Sequence, residues 1–382
     1  MTTPDAPAAP GSVPPSRPSV PTPAAPDRPS GLLAFTEAVP AAPPPTRRSR
    51  ERDPFLDNAK YLAIILVVVG HLIEDLRDVP EAHAIYFFLY TFHMPLFIAL
   101  SGYLSRNFTF SAGKARKLIS GLAVPYVIFE VAYSLPRLFL DGDLEISLLD
   151  PYYLTWFLMS LFLWRLSTPV WQQLRWPLVI AVGLSLLSGM SELPDELSMN
   201  RTFGLLPFYV LGLMLTPAHL ELLKRPAVRV AGAVVLAGGL ALAFALHADI
   251  ATEWIRWRDS NAKIGVDNLT GSAMRLAMLT AGAALLAAFL AVTPSRRTWF
   301  SGLGAATMYA YLLHGFFVKV FQVYAKEMST PAGVVLAVLL GVAIATLLCT
   351  PPVRRLTHWA VEPDTSWAFT ALRRPSKPGA RG

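Results

Sequence analysis

Long apolar stretches separated by short polar segments dominate the pattern of hydrophobic and polar positions along this chain. A helix needs about 20 residues to cross the hydrocarbon core of a bilayer, and a lone strand would leave its backbone polar groups unpaired in lipid. The pattern therefore predicts an all-α, polytopic membrane protein with about ten transmembrane helices. The predicted spans cover residues 57–74, 84–104, 117–140, 152–169, 176–193, 202–217, 227–247, 271–293, 299–321 and 332–352.

Charged residues between these spans alternate in sign, which predicts the orientation of the chain. Basic residues precede the first span and follow the second, sixth, eighth and tenth, as in "GKARK" at 113–117. The intervening loops are more acidic, as in "EDLRDVPE" at 74–81. Because lysine and arginine collect in cytoplasmic loops, we expect both termini on the cytoplasmic side. The loop at 250–270 has mixed charge; we expect a connector there, with a lid as the alternative.

Composition agrees with lipid as the main solvent of the chain. Hydrophobic residues make up 53% of the sequence and charged residues only 15%, against roughly 25% charged in soluble domains. Fourteen of the 33 prolines fall within the first 45 residues, so we expect 1–52 to be a disordered cytoplasmic tail. We assign 53–352 to the membrane domain and 353–382 to a basic cytoplasmic tail. Abundant alanine, glycine and arginine suggest a bacterial plasma membrane.

Cysteine content and net charge narrow the possible partners. The single cysteine, Cys349, excludes an intrachain disulfide and argues against a cysteine-based zinc site, and we expect no bound metal. The net charge of +7 follows from topology, because the basic residues are scattered over several loops and both tails. We therefore expect a lipid bilayer, and no nucleic acid, as the partner.

The first span carries a lysine near one end and a histidine near the other, in "DNAKYLAIILVVVGHLIED" at 57–75. Eleven helical steps bring His71 back to within about 20° of Lys60, roughly 16 Å further along the axis. The two residues therefore share one face of the helix. A snorkelling anchor is the alternative for Lys60, and an interfacial helix end is the alternative for His71. Ionisable groups inside a membrane are nevertheless candidates for function.

The second span places His93 in its middle, followed at once by Met94 and Pro95. A histidine at that depth needs a partner or a polar cavity, and the proline frees a carbonyl and bends the helix. Gly102, further along, permits close approach of a neighbouring helix. These features favour a functional role for His93, with a packing histidine as the alternative.

Two of these motifs together resemble a known family. "DNAKYLAIILVVVGH" at 57–71 and "FHMPLFIALSGYL" at 92–104 are similar to the start of the acyltransferase-3 family of membrane O-acyltransferases, in its fucose 4-O-acetylase-like branch. Weaker matches follow, such as "YAYLLHGFF" at 309–317, and the resemblance covers about 53–350. The family's usual ten spans agree with the count made here. Many members carry arginine where this chain has Lys60, and lysine lacks the planar fork of arginine.

The resemblance implies transfer of an acyl group, usually acetyl from acetyl-CoA, to a hydroxyl of a carbohydrate or glycosylated acceptor. Acetyl-CoA is a co-substrate, so no bound cofactor is implied.

The family's essential histidine and the basic residue before it correspond to His71 and Lys60. An alcohol needs a proton acceptor to become a good nucleophile, and we expect His71 to be this base. Lys60 would attract the donor's phosphates. Lys114, Arg116 and Lys117 would add to a cytoplasmic CoA entrance, with topological charge as their alternative.

Four further residues are candidates for the site. His93 would orient His71, donate to the developing oxyanion or hold the acceptor. His314 matches a recurrent motif of the family, with packing and acceptor binding as open alternatives. Glu130 would pair with a histidine or with Arg137 and help to bind the acceptor. Trp156 would stack on a sugar, with packing as its alternative.

Two other functions remain open at this point. Intramembrane histidines also form proton relays in transporters and exporters, so a polytopic transporter is the alternative to the enzyme. A structural membrane subunit would leave the shared face of Lys60 and His71 unexplained. A nucleophile elbow, a phosphate-binding loop and an HExxH zinc motif are all absent from the sequence.

Overall fold

The computed structural model describes residues 52–140 and 146–369, the side chains of 137–140 excepted. The predicted tail at 1–52 thus lies almost wholly outside the described residues. The helices, in chain order, are α1 Pro54–Ile73, α2 Pro80–Ser105, α3 Ala112–Leu118, α4 Val124–Leu140, α5 Trp156–Trp171, α6 Pro177–Met190, α7 Met199–Gly204, α8 Leu206–Met214, α9 Pro217–Leu223, α10 Pro226–Leu246, α11 Glu253–Arg256, α12 Asn261–Ile264, α13 Asn268–Val292, α14 Thr307–Tyr324, α15 Pro331–Leu348 and α16 Pro351–Val361.

Several helices begin where the sequence supplies a cap. The Asp53 carboxylate accepts a hydrogen bond from the backbone N–H of Phe55, and Pro54 is the first residue of α1. Asp267 caps α13 and Thr330 caps α15 in the same way. Such side chains bind N–H groups that have no partner within the helix, and proline loses no bond at this position. Helix starts are therefore encoded locally.

The all-α class predicted from the sequence is confirmed, since the described residues form helices and turns and no strand. Each predicted span coincides with one or more helices. Six helical segments are long and apolar enough to cross a membrane, and a seventh is added if α8 and α9, which meet at 99°, form one broken span. The count of ten spans and the cytoplasmic side of both termini stay predictions.

Ten spans were predicted, but only six or seven helical segments of the described residues are long and apolar enough to cross a membrane, and this difference has local causes. Helices α5 and α6 contain 16 and 14 residues, fewer than a straight crossing of the hydrocarbon core requires. Helix α14, which starts at Thr307 after a short 3-10 helix at Leu303–Ala305, has 18 residues. It is not among the six segments because polar residues such as His314 and Lys319 lower its mean hydropathy.

Helix α1 lies in the centre of the bundle and packs against α2, α14 and α15. Its side chains Phe55, Ile64 and Leu72 are fully buried. Helix α2 in turn packs closely against α8, because a Cβ at Gly102 would lie 2.2 Å from the carbonyl oxygen of Tyr209. Gly102 thus permits the close helix approach expected from the sequence. The two helices that carry His71 and His93 are held in the best-packed part of the molecule.

Asn58 ties the start of α1 to the segment before α14. Its amide donates to the carbonyls of Pro294 and Arg296 at 2.8 and 2.9 Å. Its side-chain oxygen accepts from the hydroxyls of Thr298 and Ser301 at 3.0 and 2.7 Å. Asn58 is fully buried, and these bonds satisfy a polar group that would otherwise destabilise the fold. Part of the "DNAK" motif is therefore structural.

Orientation in the membrane can be tested because Cys349 is buried and can be replaced by alanine to give a cysteine-free background. In that background we expect Glu192→Cys, between α6 and α7, to react with a membrane-impermeant maleimide in intact spheroplasts. Glu221→Cys, on α9, should react only after permeabilisation, because its loop is predicted to be cytoplasmic. Both side chains are exposed. The reverse labelling pattern would show that the predicted orientation is wrong.

Candidate active site

A cavity of about 670 Å³ lies at the end of the bundle where α1 ends and α2 begins. His71 and Glu74 line it from the end of α1 and the following turn, and Tyr90 lines it from α2. The remaining wall comes from α14 and from residues in the segments that connect other helices. Those segments are 147–157, 194–201 and 255–263. The loop predicted as a connector at 250–270 thus supplies part of the cavity wall.

Strained backbone is concentrated around this cavity. Four non-glycine residues of the described chain adopt left-handed conformations with φ between 48° and 58°: Tyr153, Leu197, Ser198 and Trp257. Three of them line the cavity, and Leu197 directly precedes Ser198. Such conformations cost energy and are retained most often at functional sites. The strain is an observation independent of the sequence motifs that makes this cavity the candidate functional site.

His71 is held on the cavity wall through its Nδ1 atom. This nitrogen lies 3.1 Å from the Tyr90 hydroxyl and 3.4 Å from a Glu74 carboxylate oxygen. The Tyr90 hydroxyl donates to the same oxygen of Glu74 at 2.9 Å. Residues three apart on a helical turn share a face, which brings Glu74 to His71. The Nε2 atom of His71 makes no hydrogen bond to any described residue, so it is the ring nitrogen left for the cavity.

Glu74 also connects the site to the loop that covers it. Its other carboxylate oxygen accepts from the Arg256 guanidinium at 3.2 Å and from the Tyr86 hydroxyl at 3.4 Å. Arg256 in turn donates to the Tyr86 hydroxyl at 3.1 Å. Burial alone would lower the pKa of Arg256, but Tyr86 and Glu74 raise it above its usual value. One carboxylate therefore holds α1, α2 and α11 together beside His71.

The other two predicted histidines lie close by but do not line the cavity. His93 and His314 are buried, and their Nδ1 atoms lie 2.8 and 2.9 Å from backbone carbonyls one helical turn earlier. The His314 ring is 5.3 Å from the His71 ring, and the His93 ring is 4.5 Å from the Tyr90 ring. Their Nε2 atoms have no hydrogen-bond partner among the described residues. His93 thus lies beside Tyr90, and His314 lies beside His71.

Glu130 and Trp156 both line the cavity, and the structure shows what holds them. The buried Glu130 carboxylate accepts from the backbone N–H of Tyr152 at 3.0 Å and from the Thr155 hydroxyl at 2.5 Å. It therefore stabilises the turn from which α5 and Trp156 begin. The side chain of Arg137, the predicted partner of Glu130, lies outside the described residues.

The predicted donor-binding lysine lies away from the cavity. The Lys60 ammonium forms an ion pair with Asp57 at 2.7 Å, and Lys60 does not line the cavity. The short connection between α1 and α2 makes them antiparallel neighbours, so the start of α1 and the end of α2 lie at the same end of the bundle. That end is opposite to the end that carries the cavity.

The predicted basic segment follows α2 at the same end as Lys60. Lys114 donates to the Asn107 carbonyl at 2.6 Å, and the Arg116 guanidinium lies 4.8 Å from the centre of the Phe369 ring. Lys117 is exposed. The structure therefore separates the predicted site residues into two groups, one at each end of the bundle.

Sequence reasoning missed Glu74, Tyr90, Arg201 and Arg256, all of which line the cavity. Glu74 could have been found, because it follows His71 by three residues and so faces the same way on a helix. No local sequence pattern points to Arg201, because its guanidinium comes within 5.0 Å of the centre of the Trp156 ring only in the folded chain. Burial lowers the pKa of Arg201 to about 10, with Arg258 acting in the same direction, which leaves it charged at neutral pH.

Comparisons with known proteins identify the family of the chain. A family model described as an acyltransferase domain matches residues 53–351, nearly the whole chain outside its two tails. The chain is also 43% identical over 61 residues to the nodulation protein NolL of Mesorhizobium japonicum, a match that covers 15% of this chain and 16% of that relative. No solved structure matches the chain. The family model covers well over half of the sequence, and the protein therefore belongs to the acyltransferase-3 family of membrane acyltransferases.

Proposed function

We propose that the protein transfers an acetyl group from acetyl-CoA to a hydroxyl of a carbohydrate or glycosylated acceptor, with His71 as the general base. The observation that carries this proposal is the anchoring of His71 by Nδ1 on the wall of a 670 Å³ cavity, with Nε2 left free of described partners. Membership of an acyltransferase family favours this reaction over proton-coupled transport. We place the enzyme in a bacterial plasma membrane, in line with its apolar helices.

The proposed reaction needs one proton to move twice. The acceptor hydroxyl gives its proton to Nε2 of His71 while its oxygen attacks the thioester carbonyl carbon. The tetrahedral intermediate collapses, the carbon–sulfur bond breaks, and the CoA sulfur takes the proton from His71. The products are the acetyl ester and free CoA. General bases positioned in this way contribute roughly 10²-fold to 10⁴-fold to the rate.

The residues around His71 have positioning roles in this proposal. Glu74 favours the positively charged imidazole that forms after proton transfer, because an opposite charge at this distance stabilises the charged form. Tyr90 fixes the ring by accepting a hydrogen bond from Nδ1–H, the tautomer that leaves Nε2 unprotonated. His93 contacts Tyr90 and His314 contacts His71, so both act on the base through ring packing.

The acceptor side of the proposal centres on Trp156. An aromatic ring on the wall of a polar cavity is suited to stacking on the apolar face of a sugar. Glu130 contributes by holding the turn that presents this ring. We therefore propose Trp156 as a direct contact of the acceptor and Glu130 as its support.

The donor side of the proposal centres on Lys60 and the basic segment that contains Lys114, Arg116 and Lys117. Phosphate groups would be attracted to this end of the bundle. The pantetheine arm would then have to reach about 16 Å along α1 to bring its thioester to His71. Acetyl-CoA would thus approach from the end opposite to the cavity.

Replacement of His71 tests the base directly. His71→Ala should lower acetyl transfer from radiolabelled acetyl-CoA by roughly 10²-fold to 10⁴-fold, measured on protein purified in lipid nanodiscs. The control is His219→Ala, which changes an exposed histidine on α9 and should leave the rate unchanged. Transfer by His71→Ala at the rate of the unsubstituted protein, with the fold intact, would refute the assignment.

Replacement of Lys60 tests donor binding. Lys60→Ala should raise the KM for acetyl-CoA more than it lowers kcat, because the lost charge acts on the phosphates and not on the reacting atoms. The matched control is Lys326→Ala, an exposed lysine after α14, which should leave both constants unchanged. A fall in kcat at constant KM would instead indicate a role for Lys60 in the chemical step.

Replacement of Glu74 tests the support of His71. Glu74→Gln should lower kcat roughly 10-fold to 100-fold, the range seen for groups that orient a functional histidine in metal sites. Glu192→Gln, on an exposed loop, is the control. An unchanged kcat at equal amounts of folded protein would show that Glu74 does not act on the reaction.

A further inference from the structure

Arg201 is a cation on the cavity wall that lacks an acidic partner. Its Nε donates to the backbone carbonyl of Arg256 at 3.3 Å, and its guanidinium lies 5.0 Å from the centre of the Trp156 ring. Within the described chain it forms no ion pair, and its two terminal nitrogens make no hydrogen bond. The side chain is therefore held in place from two directions while its fork of N–H donors remains unused.

Unlike Arg201, the neighbouring arginines of the cavity wall have acidic partners. Arg256 pairs with Glu74 at 3.2 Å, and Arg258 lies 3.8 Å from Asp195. Their charges are already balanced by acids of the same wall. Arg201 is half-buried and thus partly removed from water, which is unfavourable for a charge without a partner. A cation kept in such a position indicates that a ligand supplies the missing negative charge.

A second cation lies near the same aromatic turn. The Lys319 ammonium is 4.7 Å from the centre of the Tyr153 ring, lines the cavity and forms no ion pair with a described residue. Tyr153 and Trp156 both belong to the turn held by Glu130. One turn therefore presents two rings, and beside each ring lies a cation that forms no ion pair with a described residue. This arrangement combines surface for a sugar ring with charge for an anion.

The chemistry of Arg201 narrows the anion. A guanidinium has parallel N–H donors that match the paired oxygens of a carboxylate or a phosphate. Arg201 contacts Trp156, which also lines the cavity, so an anion bound by Arg201 would lie beside the ring proposed to stack on the sugar. His71 lines the same cavity, so a sugar bound there would present a hydroxyl to the base.

We propose that the acceptor is a sugar that carries a negatively charged group, a carboxylate or a phosphate, and that Arg201 binds this group. Lys319 adds to the attraction. This inference rests on the proposed acetyl transfer, because it concerns the acceptor of that reaction. The phosphates of CoA are assigned to the Lys60 end of the bundle, so the anion at Arg201 belongs to the acceptor.

Binding measurements test the proposal without requiring turnover. Nanodisc-embedded protein is titrated calorimetrically with glucose, glucuronate, glucose 1-phosphate and inorganic phosphate. At least one charged sugar should bind roughly 10-fold to 100-fold more tightly than glucose, as expected for charge-assisted hydrogen bonds. Preference for glucuronate would identify a carboxylate, and preference for glucose 1-phosphate would identify a phosphate.

Variants then assign the preference to Arg201. Arg201→Gln should remove it, and Arg201→Lys should retain only part of it because lysine lacks the fork. Arg175 provides a matched control, since it also stacks on a tryptophan, Trp176, at 5.7 Å, but is exposed and does not line the cavity. Arg175→Gln should keep the full preference for the charged sugar.

Three results would overturn the proposal: equal binding of neutral and charged sugars, a preference that survives in Arg201→Gln, or inorganic phosphate that binds as tightly as the preferred charged sugar. The last would indicate a plain anion site. His71→Ala should keep the preference while losing transfer. A failure of the base assignment is thus seen in the transfer assay, and a failure of the anion site is seen in binding.

Discussion

The Glu74 carboxylate is the interaction on which the site depends. It accepts hydrogen bonds from Tyr90, Tyr86 and Arg256 and lies 3.4 Å from His71. These partners come from α1, α2 and α11, three elements that meet only at the end of the bundle. A buried charge that loses its partners is strongly destabilising, so the network specifies one arrangement of these elements. The position of His71 and the wall of the cavity follow from it.

A second carboxylate, Glu130, also lines the cavity and holds one of its segments in place. It binds the turn at 152–155 through backbone and hydroxyl donors. That turn includes Tyr153, whose left-handed backbone would not persist without such support. The two carboxylates thus hold different segments of one cavity wall, the first beside the proposed base and the second beside the aromatic surface proposed for the acceptor. A rigid fold of apolar helices carries a site made largely from connecting segments.

Local signals in the sequence were sufficient for the fold class and for part of the site. Apolar runs located the helices, and the spacing of His71 and Lys60 was visible because a helix repeats regularly. Arg256 could not be found in this way. It contacts Glu74 from 182 residues further along the chain, and its loop was interpreted as a connector. Contacts of this kind depend on how helices pack, which hydropathy does not encode.

The number of spans illustrates the same limit. Helix α6 has 14 residues, and α8 and α9 meet at 99°, so a window of average hydropathy cannot tell a short or broken helix from a full crossing.

Asn58 shows that a residue of a family motif can have a structural role. It belongs to the motif that suggested the family, and its hydrogen bonds tie α1 to the segment 294–301. Residues that mark a family therefore need not touch the substrate.

A double-mutant cycle on His71 and Glu74 tests the central claim, that Glu74 acts on the reaction through His71. The initial rate of acetyl transfer is measured for His71→Ala, for Glu74→Gln and for the double variant, at equal amounts of folded protein. Groups that act as a unit give non-additive losses, so the account predicts that Glu74→Gln causes no further loss once His71 is absent. If Glu74→Gln lowers the residual rate of His71→Ala by the same factor as in the unsubstituted protein, the two residues act independently and the account is contradicted.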